Sequence, residues 1–477
     1  MIASKMIDEN KKVANLFQMK NTRSQSGIAV VSVLTRPYSC SGKCIYCPTE
    51  PNVPKSYLSN EPAVMRAIMC MYHPYKQVNA RLKALKDTGH IIDKISIRII
   101  GGTWSQYPAR YQTWYIKELF KACNEFNGKK SFITTLSSLQ EENMSAPCRI
   151  VEMSIETRQD EINLKEILKL RKYGVTKVEL GVQSVDDVIL DMNNRGNNNQ
   201  DTIAATKMLK DYGLKVSYQM MLNMYGSDYE KDLNNFIKIF SDQAYKPDHL
   251  KIYPLALVKS CELYKLYQES KFIPYSEEVL INLISEIKKF VPRYCRIERV
   301  IRDIPATEII EGGAMISNLR QEIGKKLKDL NIECKCIRCR EIKRKNPSGK
   351  RKIFIDKYIA SEAEEYFISM ETIDRKYLVG FCRLRLERDR LKIAAVDKSA
   401  IIREIHVYGP TVAVGGKDDN AQQHHGVGKE LMRYAEKIAK ERNYKRIAVI
   451  AGVGVRGYFK KMGYVLKQSY MVKNLAK

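Results

Sequence analysis

The chain of 477 residues is long enough for about three domains and, at 44% hydrophobic, can bury sizeable cores. Its 81 Lys and Arg against 54 Asp and Glu give a formal charge of +27, which favours a polyanionic partner such as nucleic acid. Apolar runs fall short of the roughly 18 residues of a membrane span, no apolar leader opens the chain, and twelve cysteines are too sparse for a disulfide scaffold, so a soluble cytoplasmic protein with reduced thiols is expected.

Residues 1–22 read as a short basic extension. From there β-rich and helix-like segments alternate. Strands are expected at 27–34, 94–100, 131–135, 149–155, 177–183, 214–221 and 249–255. Gly174 and Gly213 stand where a helix stops and a strand begins. Such strand–helix units imply a parallel sheet, open or closed into a barrel, with chemistry at the C-terminal ends of its strands. The polar run 193–200 reads as a connector.

Directly after the first strand, "PYSCSGKCIYCPTE" sets Cys40, Cys44 and Cys47 in a C-x3-C-x2-C pattern. Thiolates are soft ligands for zinc or iron–sulfur clusters. A structural zinc site closes with four ligands, and here no fourth Cys or His lies nearby. Three thiols on a cubane leave one iron open to substrate. Three thiols that close together again at Cys334, Cys336 and Cys339 point to a second metal site, set in a stretch from Cys334 to Lys352 that holds nine Lys or Arg and one acid. A linker or basic loop is expected around 347–352.

A smaller α/β segment follows, with strands at 376–386, 401–409 and 445–452 and an amphipathic helix at 427–440. "QQHHGVGKELMRYAE" sets a Gly-x-Gly turn immediately before that helix, whose unpaired N–H groups favour phosphate.

The C-x3-C-x2-C pattern with Tyr46 before its last cysteine resembles radical S-adenosylmethionine enzymes, and "IREIHVYG", the Gly-x-Gly turn and "GVRGYFKKMGY" resemble a GNAT-type acetyltransferase. In this order, with "EPAVMRA", "IIGGT", "VELGVQS", "KIYPLALV", "RDIPA" and "CKCIRCRE", they resemble the catalytic subunit of Elongator and its single-chain archaeal and bacterial relatives. The resemblance implies an α/β chain: a partial TIM-like radical barrel over 23–320, a zinc-binding basic linker over 321–353, and a GNAT domain over 354–477. It implies a tRNA wobble-uridine acetyltransferase that uses a 4Fe–4S cluster, S-adenosylmethionine and acetyl-CoA, places a carboxymethyl group on carbon 5 of uridine, and works with the radical centre and the thioester in one cavity. Also implied are an anticodon stem-loop as substrate, an electron donor and Elongator-type accessory subunits.

Carried onto this chain, the family's residues fall as follows. Cys40, Cys44 and Cys47 would hold the cluster, and Gly101, Gly102, Thr103, Glu156 and Gln183 the S-adenosylmethionine. Zinc would take Cys334, Cys336 and Cys339. Acetyl-CoA would lie on Lys94, along the backbone of Glu404, Ile405, His406 and Val407, on Gln423, Gly426, Val427, Gly428 and Lys429, and on Tyr458 and Phe459. Lys94 and Tyr458 are the catalytic candidates, Tyr458 as a proton donor to a leaving thiolate. Arg338, Arg340, Lys343, Arg344 and Lys345 would meet tRNA phosphates, and some of the 28 tyrosines would stack on unpaired bases. The chain departs from the family pattern at "CPTEP", "ETRQD", "NRGNN" and Phe459, which stands where a second tyrosine is usual. The GNAT segment alone would suit a protein lysine acetyltransferase, and the departures a non-catalytic tRNA-binding scaffold subunit.

Overall fold

The computed structural model describes residues 27–126, 128, 130, 132, 134–342, 350–387, 389–409 and 426–475. The N-terminal extension, Lys343, Arg344, Lys345 and Gln423 lie outside the described residues.

Seven parallel strands form the first sheet in sequential order: β1 (Ala29–Leu34), β2 (Lys94–Ile100), β3 (Arg149–Thr157), β4 (Lys177–Gln183), β5 (Lys215–Leu222), β6 (His249–Pro254) and β7 (Arg296–Arg299). β1 and β7 are its two edges, so the barrel is partial. Six of the seven expected strands are present. Of the expected strand 131–135, residues 131 and 133 lie outside the described residues, and Thr135 is the N-cap of helix Leu136–Asn143, accepting from the Ser138 N–H. The seventh strand is the four-residue β7, "RIER", too short and too charged to read as a strand.

The strands alternate with an unusual sense. On β4, Val178, Leu180 and Val182 face the helices, while Lys177 and Glu179 are buried on the opposite, inner face. The same alternation puts Ser96 and Arg98 of β2, Glu152 and Ser154 of β3, Lys215 and Ser217 of β5, His249 and Lys251 of β6 and Glu298 of β7 inside, where they bond to one another. A TIM-type barrel usually fills this space with branched aliphatic layers. Here ion pairs fill it: Lys177 meets Glu298 at 2.8 Å, Glu152 at 3.3 Å and Glu179 at 3.7 Å.

A second seven-stranded sheet has the order β13-β14-β12-β11-β10-β9-β8, from β8 (Arg351–Ala360), β9 (Ala363–Thr372), β10 (Leu378–Leu386), β11 (Ala400–Val407), β12 (Arg446–Val449), β13 (Val465–Lys467) and β14 (Tyr470–Asn474). Only its β11–β12 pair is parallel. Helix Val427–Glu441 packs on it through Val427, Leu431, Met432, Ala435 and Ile438.

The second sheet caps the N-terminal ends of the first. Arg383, Arg385 and Arg403, all fully buried, cross the boundary. Arg403 donates to Asp248 at 2.8 Å and to the Leu214 carbonyl at 3.0 Å, Arg383 lies 3.7 Å from Asp248, and Arg385 donates to Asp211 at 3.1 Å. Gly174 and Gly213, left-handed at φ +87° and +83°, end their helices as expected and also press on this boundary: a Cβ would lie 3.1 Å from Val453 and 3.0 Å from Ile401. Among the described residues no helix is long and apolar enough to cross a membrane.

Candidate active site

The chain leaves β1 at the C-terminal end of the first sheet and enters the cysteine loop there. Cys40, Cys44 and Cys47 line one cavity with about 1600 Å³ of empty space, its open mouth included. Gly42 sits between two of the thiols: a Cβ there would lie 3.5 Å from Cys44 Sγ, 3.6 Å from Cys40 Sγ and 2.7 Å from an Arg158 nitrogen. Arg195 donates to Cys44 Sγ at 3.7 Å. Burial, then the neighbouring Cys44, pushes the Cys47 thiol up to about 11. Such a thiol stays protonated unless a cation compensates the thiolate charge. Among the described residues the cavity lining contains no fourth cysteine and no histidine. Three soft donors, buried cations beside them and an open side therefore fit a cluster with one unligated iron.

All five candidate S-adenosylmethionine contacts line this cavity. Gly101 and Gly102 follow β2 with φ of +122° and +105°, and a Cβ on Gly101 would come within 2.3 Å of Thr35 Oγ1. Thr103 Oγ1 lies 3.5 Å from Cys40 Sγ. Glu156 accepts from Tyr57 at 2.8 Å and Gln219 at 2.9 Å and lies 3.5 Å from Lys251. Gln183, at φ +69°, has a buried Oε1 with no hydrogen-bond partner, an acceptor awaiting a ligand donor. Sequence reasoning missed Tyr57, Gln219, Lys251 and Arg302. The loop 193–200 does more than connect, since its Arg195 donates to Cys44 Sγ; a lone Arg-Gly among asparagines carries no spacing signal.

On the acyltransferase side, the parallel register between β11 and β12 covers Ala400–Ile402 and Ile447–Val449 only. Beyond it β11 continues through Glu404, Ile405, His406 and Val407, paired to β10. Gly426, at φ +79°, opens helix Val427–Glu441, and a Cβ on Gly428 would lie 3.1 Å from the Tyr458 hydroxyl and 3.9 Å from Val407. Strand splay, helix N-terminus and Tyr458 thus converge, and burial holds the Tyr458 hydroxyl above its ordinary value. Lys429 at the helix start is exposed. His406 stacks on Tyr408 at 4.4 Å.

Packing fixes the side chains of several further candidates. Phe459 is 2% exposed and packs edge-on against Tyr458 and Tyr464; its ring is core, which also explains why a hydroxyl is dispensable there. Val427 is likewise buried, so only its backbone could meet a ligand. The Glu404 carboxylate turns away from the strand splay into the domain boundary, 2.8 Å from Arg383, 3.5 Å from His249 and 4.0 Å from Lys215, and is held well below the usual carboxylate range by these cations against the cost of burial. Lys94 heads β2 at the end of the barrel that the second domain caps; burial, partly offset by Asp93, lowers its pKa.

Cys334, Cys336 and Cys339 bring their Sγ atoms within 4.8 Å of one another, and among the described residues no further Cys, His, Asp or Glu joins them at that spacing. Lys288 donates to Cys339 Sγ at 3.8 Å. Arg340 is buried and spends its guanidinium on the Lys335 and Arg293 carbonyls and on Glu371 at 2.9 Å, so it is not offered to phosphates; Arg338 is half-buried.

Among the described residues the cavity is lined by the first domain alone, and the candidate acetyl-CoA residues lie toward the opposite end of the barrel. The polar, ion-paired barrel interior lies between the cysteine cavity and these residues.

Residues 36–237 match the Radical SAM superfamily, 247–329 the Radical_SAM C-terminal domain and 335–464 the Acetyltransferase (GNAT) family. The chain is 40% identical to the tRNA uridine(34) acetyltransferase of Methanocaldococcus infernus, over 98% of this chain and 89% of the relative. It is 38% identical to that of Dehalococcoides mccartyi, over 96% and 99%, and 34% identical to Elongator complex protein 3 of Homo sapiens, over 96% and 86%. The structure of archaeal Methanocaldococcus infernus Elp3 lacking its N-terminal residues 1–46 superimposes with a TM-score of 0.82 at 38% identity, covering 94% of this chain and all of that one. With identity of this level along nearly the whole chain, and both domains present in the same order, the chain belongs to the family of tRNA uridine(34) acetyltransferases and Elongator complex protein 3, radical S-adenosylmethionine enzymes with a GNAT domain.

Proposed function

We propose that this chain modifies the wobble uridine of tRNA at carbon 5, drawing the added carbon unit from acetyl-CoA. The observation that carries this reading is the single cavity in which three thiols with no fourth soft ligand meet Gly101, Gly102, Thr103, Glu156 and Gln183. Cys40, Cys44 and Cys47 would hold a 4Fe–4S cluster there, and Glu156 and Gln183 would orient S-adenosylmethionine through its hydroxyl and amino groups. Bound there, cluster and cofactor would supply one-electron chemistry. The tilt of Gly101 keeps backbone rather than side chain against the cofactor, and Arg195 balances the charge of Cys44. At the other end, the N–H groups at Gly428 and Lys429 would cradle the pyrophosphate of acetyl-CoA, β11 would pair with its pantetheine amides, and Tyr458 would donate a proton to a leaving thiolate.

A protein lysine acetyltransferase needs a base for the incoming ammonium. The carboxylate on the acyl strand, Glu404, is locked in ion pairs at low pKa, which argues against that reading. The linker thiols would bind zinc, and cysteine-to-serine change at Cys336 is expected to remove about one zinc per chain by elemental analysis. An electron donor, Elongator-type accessory subunits and a cytoplasmic setting complete the proposal.

The test is anaerobic cluster reconstitution, incubation with acetyl-CoA, S-adenosylmethionine, reductant and tRNA, and mass analysis of nucleosides. Carboxymethyluridine that disappears with Cys44→Ala supports the reading; unmodified tRNA from cluster-loaded protein that cleaves S-adenosylmethionine would refute it.

A further inference from the structure

The mouth of the cysteine cavity carries an aromatic stack that the chemistry of the site does not require. Tyr38, two residues before Cys40, lies in the cavity lining together with Tyr107. The two rings stack with centroids 4.8 Å apart at 28°, Tyr107 stacks in turn on Tyr111 at 5.0 Å, and Tyr111 continues to Trp114 at 5.6 Å. Tyr107, Trp104 and Tyr115 are buried and belong to the core, whereas Tyr38 at one end is 38% exposed. With one face covered by Tyr107, its exposure lies on the remaining surface of the ring, at the mouth.

This end is held in place. Tyr107 donates to the Arg36 carbonyl at 2.6 Å, the Arg36 N–H donates to the Tyr111 hydroxyl at 3.1 Å, and the Ser41 N–H donates to Gln106 at 3.1 Å, so the loop carrying Tyr38 is fastened on both sides. Exposed cations flank it: the Arg36 guanidinium lies 4.8 Å from the Tyr111 ring centroid, and Lys43 and Arg110 are exposed on the same two segments. A partly exposed ring backed by a fixed stack, lining a reaction cavity and carried on segments with exposed cations, is suited to binding an unpaired nucleobase along a phosphate backbone.

We infer that Tyr38 is a stacking platform for the nucleobase adjacent to the target uridine, an inference that rests on the proposed tRNA function. A uridine that enters the cavity leaves its neighbour without a stacking partner, and this costs free energy. Tyr38, backed by Tyr107, replaces that partner and sets which base reaches the cluster end of the cavity. Arg36 serves the backbone of the same nucleotide. The ring is a positioning residue: it fixes the substrate and takes no part in bond making.

The test uses the full chain and fluorescent anticodon stem-loop RNAs at low salt: one intact, one abasic immediately 5′ of the target uridine and one abasic immediately 3′. Tyr38→Ala is expected to weaken intact RNA by about 5- to 100-fold, Tyr38→Trp to retain binding, and one abasic RNA to bind wild type and Tyr38→Ala equally. Equal affinity of wild type and Tyr38→Ala for intact RNA, or an identical loss for all three RNAs, overturns the inference while leaving the tRNA function standing. Failure of the wild type to bind any of the three removes the tRNA function itself, and this inference with it.

Discussion

Gly101 couples backbone strain to ligand approach at a single position. Its φ of +122° is closed to side-chain-bearing residues, and the space a Cβ would take is filled by Thr35, which the same turn must touch. Gly101→Ala is expected to cost about 1–3 kcal/mol in chemical unfolding and to weaken S-adenosylmethionine binding, measured by calorimetry on the reconstituted protein. Gly102→Ala meets only the Lys55 carbonyl at 3.9 Å and should cost the strain term without the clash. Arg340 teaches the reverse lesson. Its place among eight basic neighbours makes it look like a phosphate contact, yet its three guanidinium nitrogens face two backbone carbonyls and the Glu371 carboxylate.

At the scale of elements, β10 and β11 are strands whose alternating arginines reach across a domain boundary. Arg403 bridges Asp248 of the first domain and Glu365 of its own. Arg403→Met would strand two buried carboxylates, so a loss of about 3–5 kcal/mol is expected by urea denaturation. His249, at the start of β6, lies 3.2 Å from Glu298 and 3.5 Å from Glu404, with Lys177, Lys215 and Arg383 on the far sides of those carboxylates. Burial disfavours its charge, but Glu404 and then Glu298 outweigh that and raise its pKa. The folded state therefore binds the proton more tightly than the unfolded one. That contribution is complete below about pH 6.5 and is lost as pH rises through the higher folded value. Unfolding free energy should thus decline as pH rises above about 6.5 in the wild type, and less steeply in His249→Gln. An equal slope in both would place the pH dependence elsewhere.

For the whole molecule, the +27 charge and the two-ended barrel act together. Charge brings a polyanion to the surface without selecting sequence. Affinity for a stem-loop should fall steeply with salt; about six phosphate contacts would give roughly 10³-fold between 50 and 200 mM KCl, read by fluorescence anisotropy. A flat response would mean that the surplus lysines only solvate the surface. The barrel sets the cluster loop at one end and the acyl strand toward the other, with Lys177, Glu179, Glu152, Lys215 and Glu298 between. Filling that interior with ion pairs rather than leucines leaves a polar medium linking the two sites, at the expense of the apolar packing a barrel interior otherwise provides.

Local chemistry alone determined much of this protein. Cysteine spacing, the Gly-x-Gly helix start and six of seven barrel strands are written in short segments, because ligand spacing, caps and side-chain period are properties of neighbours in the chain. The inward polar alternation of "KVELGVQ" is equally visible there, but its partners are not: Lys177 meets Glu298 across 121 residues. What only the tertiary structure decided are the pairings over such distances. Whether the Glu404 carboxylate is free or clasped, whether Arg340 faces solvent or carbonyls, whether the Phe459 ring is surface or core, and which end of the barrel each motif reaches all depend on groups brought together by packing, which no local pattern encodes.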